Sequence, residues 1–527
     1  MIARAGVRLL ALPPSAVADR PAATLEDVAA TLEPEAVWVP GPARRPQTFA
    51  RARRAFDVPV VHPPLEAGGD PVDEWSIDDD GGVAVGVVPR LEGVDASVVD
   101  DQWASVSDDP ITLLCDQVET IVRPTELTTS LTHARDLAET LPTDRGTTLL
   151  TASEPAGYDE RWHLESESGE IRTVDHDPAT APPRHVDDCV SVRVVGAGPV
   201  EAYDDRTSFA LVELTDDGVE RVDTHAVTNF GLESVSGVGP KTAGRLSDEG
   251  VETRSDLLET PIDSLTTLPG IGRERAETMH AHARVLESGE PRRVTDDPLP
   301  GENWSRPPLC LDVETDGLSP TIIWQIGVYD PKSDDHHAFV ERDDPTDTVR
   351  VLESFCDWLL DVHPDRALVT WNGWQFDYRY LGSFIARHVS YYHDEWESIP
   401  KYDLYDWAVR EDNAILPGRT NQLEDVATAL GYEDAGTGLD GAETAAAYQR
   451  FARTGEELEW DRHEAYCEDD CRALWHVYER LADTPRRSIR GSRGGRAGAS
   501  DRSPGDDGTP TESAGRPTTE QTGLGDF

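Results

Sequence analysis

"LCLDVETDGL", residues 309–318, reads as a buried β-strand that carries two acids. Alternate side chains of a strand share a face, so Leu309, Leu311 and Val313 point one way and Cys310, Asp312 and Glu314 the other. Two carboxylates side by side repel each other unless they are solvated or share a cation. An edge strand with a wet face meets the first condition and a metal site the second. The surrounding sequence has to choose.

Working outward, "IIWQIGVYD" (322–330) reads as a second strand, a hairpin partner of the first. "VRVLESFCDWLLDV" (349–362) follows as an amphipathic helix with Val349, Leu352, Phe355, Cys356, Leu359 and Leu360 on one stripe. In "RALVTWNGWQFDYRYLGSFI" (366–385) an apolar strand runs into Asn372-Gly373, and Asp377 falls in the first turn of the next helix. An acid is electrostatically favoured there. "HEAYCEDDCRALWHVYERL" (463–481) is a helix whose buried stripe holds Leu474, Val477 and Leu481. Steps of four and eight back from Leu474 place Asp470 and Tyr466 in line with that stripe, and Asp469 falls on the wet side. An acid in line with the core needs a cation or hydrogen bonds.

Asp-x-Glu at 312–314, Asn-Gly-x-x-Phe-Asp at 372–377 and Tyr-x-x-x-Asp at 466–470, in that order, resemble the DEDD superfamily of 3′–5′ exonucleases. The tyrosine form resembles its DEDDy branch, and the layout, with "YDLYDWA" (402–408) and "TNQLEDVATALGY" (420–432) between the motifs, looks like the YprB-like group. The resemblance implies a ribonuclease H-like α/β fold over 306–484 and hydrolysis of phosphodiesters with two Mg²⁺ or Mn²⁺ ions. It implies that Asp312 bridges both ions, that Glu314 and Asp470 complete the nucleophile-side ion, and that Asp377 holds the leaving-group ion. It also implies that Tyr466 orients the attacking water and that Asn372 positions the substrate strand or the second motif. Phe376 and Trp374 are candidates for stacking on bases, and equally for core or loop packing.

Residues 232–285 contain an internal repeat, "LESVSGVGPKTAGRLSDEG" and then "LTTLPGIGRERAETMHAHA". Each copy places a Gly-hydrophobic-Gly turn, Gly237-Val238-Gly239 or Gly270-Ile271-Gly272, between two short helices. The pair resembles a tandem helix-hairpin-helix module, a small all-α unit over 229–290. Glycines let backbone N–H groups and a helix N-terminus approach a phosphate closely. Lys241, Arg273 and Arg275 follow the turns as phosphate contacts would. A module used only for domain packing is the alternative.

The 527 residues carry 101 acids against 48 bases, for a formal net charge of −53, and the excess runs nearly end to end. Lysine is reduced to Lys241, Lys332 and Lys401. Such self-repulsion destabilises a compact state unless salt screens it, and the composition resembles that of salt-loving archaea. Charge therefore says little about partners here. The six cysteines are scattered, as free cytosolic thiols are, and no apolar run approaches the ~20 residues of a membrane span. These features predict a soluble cytoplasmic protein. Residues 1–165 read as an α/β domain of unknown role, 186–228 as a small set of antiparallel strands, 291–305 as a Pro-rich linker and 485–520 as a disordered tail. The final "QTGLGDF" (521–527) resembles the peptide that binds the sliding clamp PCNA, with Gln521, Leu524 and Phe527 spaced for one side of a 3₁₀ turn. Together these features predict a multidomain α/β exonuclease acting on DNA. RNA as substrate, or an idle nuclease site on a DNA-binding adaptor, are the alternatives.

Overall fold

The computed structural model describes residues 6–486 apart from 19, 41–45, 62–72, 77–83, 92–110, 124–127, 133–136, 138–140, 142–145, 166–167, 176–188, 201–206, 216–217 and 456. The tail and the clamp-peptide residues Gln521, Leu524 and Phe527 lie outside the described residues. The chain divides between Arg275 and Ala276 into two compact units.

In the first unit, among the described residues, two sheets share a core. A five-stranded sheet has the order Gly218–Ala226, Ser208–Thr215, Val7–Ala11, Ala36–Trp38, Val60–Val61. A seven-stranded sheet includes Cys189–Gly198, which lies between Asp159–Glu165 and Thr147–Pro155. Leu9, Trp38, Val212, Val87, Leu150 and Val195 fill one apolar cluster drawn from both sheets. The parallel strands expected of an α/β region are present, as in Val7–Ala11 beside Ala36–Trp38. The 186–228 segment, however, is no separate β region. Ser208–Thr215 pairs with Val7–Ala11, and Cys189–Gly198 pairs in parallel with Thr147–Pro155. Buried strands need partners at both edges, and here the partners stand far away in sequence.

The same unit braces the first helical hairpin. Asp27, on the helix Ala22–Leu32, accepts from both Nη atoms of Arg254 at 2.9 Å and from the Gly231 N–H at 2.7 Å. A Cβ on Gly231, whose φ is +62°, would stand 2.5 Å from Thr24 Oγ1, so only glycine allows this approach.

In the second unit a five-stranded sheet carries the acids. We label its strands β1 (Leu309–Thr315), β2 (Ile323–Asp330), β3 (Asp335–Val340), β4 (Leu368–Thr370) and β5 (Lys401–Asp403). Their order is β3-β2-β1-β4-β5, with β1 antiparallel to β2 and parallel to β4. Helix α1 (Arg350–Val362) buries Leu352, Phe355, Cys356 and Leu359, as its periodicity predicts. Helix α2 spans Asp377–His388 and α3 spans Trp460–Asp483. Helix α3 packs closely on β1 and β2 because Gly327 faces it: a Cβ there would meet Cys467 Sγ at 2.5 Å.

The 291–305 segment is docked rather than free. Arg292–Arg293 pairs with Ala414–Ile415, and the Tyr478 hydroxyl donates to the Pro300 carbonyl at 2.7 Å. Its prolines remove backbone donors, the Val294 N–H and the Thr295 hydroxyl meet Asn413, and the Leu299 and Trp304 N–H groups are satisfied within the segment.

Candidate metal and nucleic-acid site

Strand alternation explains the first two acids. Asp312 stands opposite Gly327 and Glu314 opposite Gln325 across β1 and β2. Both point toward α3, where Cys467 donates its S–H to Asp312 Oδ2 at 3.2 Å. Asp312, Glu314 and Cys467 offer one ligand atom each within 4.8 Å of one another. Asp377, the first residue of α2, is buried, and Asp470 comes from α3.

The four carboxylates feel one another. Burial lifts Asp312 to about 6. Burial, and then the neighbouring charge of Asp312, lifts Glu314, Asp377 and Asp470 well above the carboxylate range. Tyr466, one turn before Asp470, is hydrogen-bonded to that carboxylate, and burial beside these acids holds its phenol protonated. Among the described residues no ion pair engages Asp312, Glu314, Asp377 or Asp470. Buried like charges without a counter-ion are costly. A set of hard oxygen donors that lacks only positive charge fits Mg²⁺ or Mn²⁺. The Cys467 sulfur is soft and is already a donor to Asp312, so it fits such ions less well.

The second motif is held by an acid that sequence reasoning passed over. Asp403, buried at the end of β5, accepts from the backbone N–H groups of Asn372 at 2.9 Å, Trp374 at 3.0 Å and Asp406 at 3.1 Å. Asn372 takes a left-handed φ of +62°, which asparagine tolerates. At Gly373 a Cβ would stand 2.1 Å from Thr370 Oγ1, so this position must be glycine. Arg410 Nη2 donates to Asn372 Oδ1 at 2.9 Å, which leaves the amide NH₂ of Asn372 as its remaining donor. Phe376 is half-buried and meets the Tyr380 ring edge-on at 5.0 Å. The signal for Asp403 was present in "YDLYDWA": an acid ending an apolar strand beside the motif strand.

In the helical repeat, Gly237 and Gly270 have φ of +83° and +82°, the turn conformation that favours glycine. Gly239 and Gly272 differ: a Cβ on either would meet nothing within 4 Å. Val238 and Ile271 are buried between these exposed glycines. Lys241 is exposed, and no ion pair among the described residues engages it. Arg273 pairs with Asp263 at the surface. Arg275 has a different task from the phosphate contact its position predicts. Its guanidinium donates to the Gly237 carbonyl at 2.9 and 2.6 Å, to the Gly270 carbonyl at 2.8 Å and to Thr242 Oγ1 at 2.9 Å. Arg245 reaches the Pro269 carbonyl at 2.7 Å from the first hairpin. The two arginines tie the two turns together.

Comparison with known protein families agrees with both readings at the level of the domain. Residues 309–482 match the RNase_H_2 model, described as RNase_H superfamily. Residues 231–284 match HHH_5, described as a SAM-like helix-hairpin-helix tandem. The chain thus combines a ribonuclease H-like domain with a tandem helix-hairpin-helix module in an α/β multidomain layout. A search of curated proteins finds no match. No helix among the described residues is long and apolar enough to cross a membrane.

Proposed function

We propose that the chain is a metal-dependent 3′–5′ exonuclease of the DEDDy type acting on DNA in repair or replication. The observation that carries this reading is the set of four mutually repelling carboxylates, Glu314 and Asp377 buried and Asp312 and Asp470 half-buried, with no ion pair among the described residues, in a ribonuclease H-like domain. Asp312, Glu314, Asp377 and Asp470 are the residues to hold two divalent ions. Bound there, the ions supply an activated water and neutralise charge on the departing oxygen. The chain's own part is positional. Cys467 fixes the Asp312 carboxylate, the Asp470 contact aims the Tyr466 hydroxyl, and Asp403 and Arg410 set Asn372 with its amide donor free for the strand.

Gly239 and Gly272 support a phosphate-gripping role for the hairpins. Neither the internal packing nor, at Gly239, the φ of −94° requires glycine, whereas close approach of a phosphate does. Lys241 and Arg273 are the cations for that contact, and Arg275 sets the spacing of the turns. The terminal Gln521, Leu524 and Phe527 are proposed as a tether to the PCNA clamp, and the acidic composition as adaptation to molar salt.

The test uses the full chain in concentrated KCl with 5′-labelled DNA and RNA oligonucleotides and Mg²⁺, Mn²⁺ or EDTA. Stepwise shortening of DNA from its 3′ end, abolished by EDTA and by Asp312→Ala or Asp470→Asn, is the expected result. Shortening of RNA alone moves the enzyme to RNA processing. Intact strands with both metals overturn the proposal.

A further inference from the structure

Among the described residues two tryptophans are counted as exposed, Trp304 at 39% and Trp374 at 46%, and both line one cavity of about 310 Å³. Its walls come from the docked 298–304 segment, the loop of the second motif and the end of β5. Burying an indole ordinarily stabilises a fold, so two rings left in solvent around one hollow need another explanation.

The 298–304 segment is held firmly while its ring stays open. Trp304 Nε1 donates to the Tyr402 hydroxyl at 2.7 Å, and its backbone N–H to the Gly301 carbonyl at 3.0 Å. Glu302 accepts from the Leu299 N–H at 2.8 Å, and Gly301 takes a φ of +75° to make the turn. On the other wall, Trp374 sits three residues before Asp377, with its N–H fixed by Asp403. The Trp374 ring itself leans on the Tyr378 ring at 4.9 Å between centroids, so the ordering of both rings is spent on folding, before any ligand arrives.

Charge selects the occupant. Lys401 is the lining cation, and its Nζ is turned to the Trp396 and Ile399 carbonyls. Asp403, Asp406 and Glu411 contribute carboxylates: Asp403 is taken up by backbone N–H groups, Asp406 Oδ1 pairs with Arg410 at 3.3 Å, and Glu411 Oε2 accepts from Asn413 at 3.2 Å. With three acids in the lining and its cation turned to backbone carbonyls, the hollow suits a phosphate poorly. A flat, neutral ring that carries an exocyclic amine finds aromatic faces and acceptors together.

We propose that this cavity is a nucleobase subsite, which stacks one base of the substrate strand against Trp304 and Trp374 and favours bases with an exocyclic amine. The subsite rests on the nuclease reading and adds to it a specificity contact outside the metal acids. It gives the segment at 298–304 a role in holding the strand in register with Asp377.

The test uses the full-length Asp470→Asn chain in EDTA, which keeps the strand intact, and oligonucleotides with the fluorescent base 2-aminopurine at successive positions from the 3′ end. Quenching confined to one register is expected in DNA, with RNA run in parallel. Trp304→Ala should raise Kd about tenfold for that strand and remove the quenching, and Trp304→Phe should restore most of both. Thymine at that register should bind more weakly than adenine or cytosine. Oligonucleotide binding with no register-specific quenching, or quenching unchanged in Trp304→Ala, overturns the subsite and leaves the nuclease reading standing. Failure of the wild-type chain both to bind and to cut overturns the two together.

Discussion

Two buried acid sites in the same sheet behave in opposite ways. At the end of β2, Asp330 meets Arg366 through two bonds of 2.8 and 2.6 Å, both partners being almost wholly buried. Against the upward pull of burial, the hydrogen bonds and charge of Arg366 hold Asp330 below its usual range. On β1, Asp312 is pushed up to about 6 beside three more acids. The first site is complete within the chain. The second lacks positive charge, which the chain does not supply among its described residues. An acid that the fold pairs is explained by the fold; the acids left without a counter-charge are the ones on which the proposed metal site rests.

The largest effect tests that contrast directly. Asp312→Ala should lower strand cleavage by about 10³-fold or more, since it removes the carboxylate whose charge the other three all feel and which is proposed to bridge both ions. The same loss of charge should do no harm to the metal-free fold. Asp312→Asn in EDTA at neutral pH is expected to melt at or above the wild-type temperature, because it relieves like-charge repulsion. Mg²⁺ or Mn²⁺ at about a hundred times Kd should add about 2.7 kcal/mol to the wild type and much less to the variant. Equal stabilisation of both would erase the distinction between the sites.

Breaking the complete pair should cost stability instead. Arg366→Ala strands a buried Asp330 and is expected to destabilise the domain by about 3–5 kcal/mol, read by denaturant unfolding. The pH signs also oppose. Asp312, raised in the folded state, contributes stability that is present below its ordinary value of 3.8 and lost as pH rises through about 6. Asp330, lowered in the folded state, contributes stability present above its ordinary value and lost as pH falls through the folded one. In EDTA the melting difference between wild type and Asp312→Asn should therefore widen from pH 4 to about pH 6. The difference between wild type and Asp330→Asn should shrink as pH is lowered below 4. Packing gives a smaller effect. Gly327→Ala forces a Cβ to within 2.5 Å of Cys467 Sγ and should cost about 1–3 kcal/mol while displacing the α3 acids. Unchanged stability would mean that the helix has slack there.

The sequence made the acids on β1 and α3 legible because periods of two and near four put them on definite faces. The helical repeat was legible because glycine marks turns whose φ excludes other residues. The partners of these elements were not. Nothing local tells that Asp403 holds Asn372, since the contact is made by backbone N–H groups, which are the same in every residue. Cys467 reads in sequence as one more scattered thiol, because its place against Asp312 depends on Gly327 of another strand leaving room for it. The joining of Ser208–Thr215 to Val7–Ala11 is a pairing across nearly the whole first unit, and strand patterns do not name their partners. Arg275 differs for a related reason: position after a turn marks a cation as near phosphate, but a guanidinium has five donors and here four of them serve the chain.

The hairpins repeat the contrast between complete and incomplete sites on a smaller scale. Lys241 is exposed without an ion pair among the described residues, whereas Arg275 is bound to three acceptor groups. Both would be scored alike as cations beside a turn, yet their losses should look different. Lys241→Ala should weaken duplex DNA binding only a few-fold and reduce the slope of log Kd against log salt by about 1, with no change in melting temperature. Arg275→Ala should weaken binding by letting the turns drift apart, so its loss should persist at high salt and come with a lower melting temperature. Arg275→Lys should not rescue it, because an ammonium lacks the planar fork that spans the Gly237 and Gly270 carbonyls. A salt slope lowered equally by both variants would return Arg275 to the phosphate, and the tie between the turns would then form only in the absence of DNA.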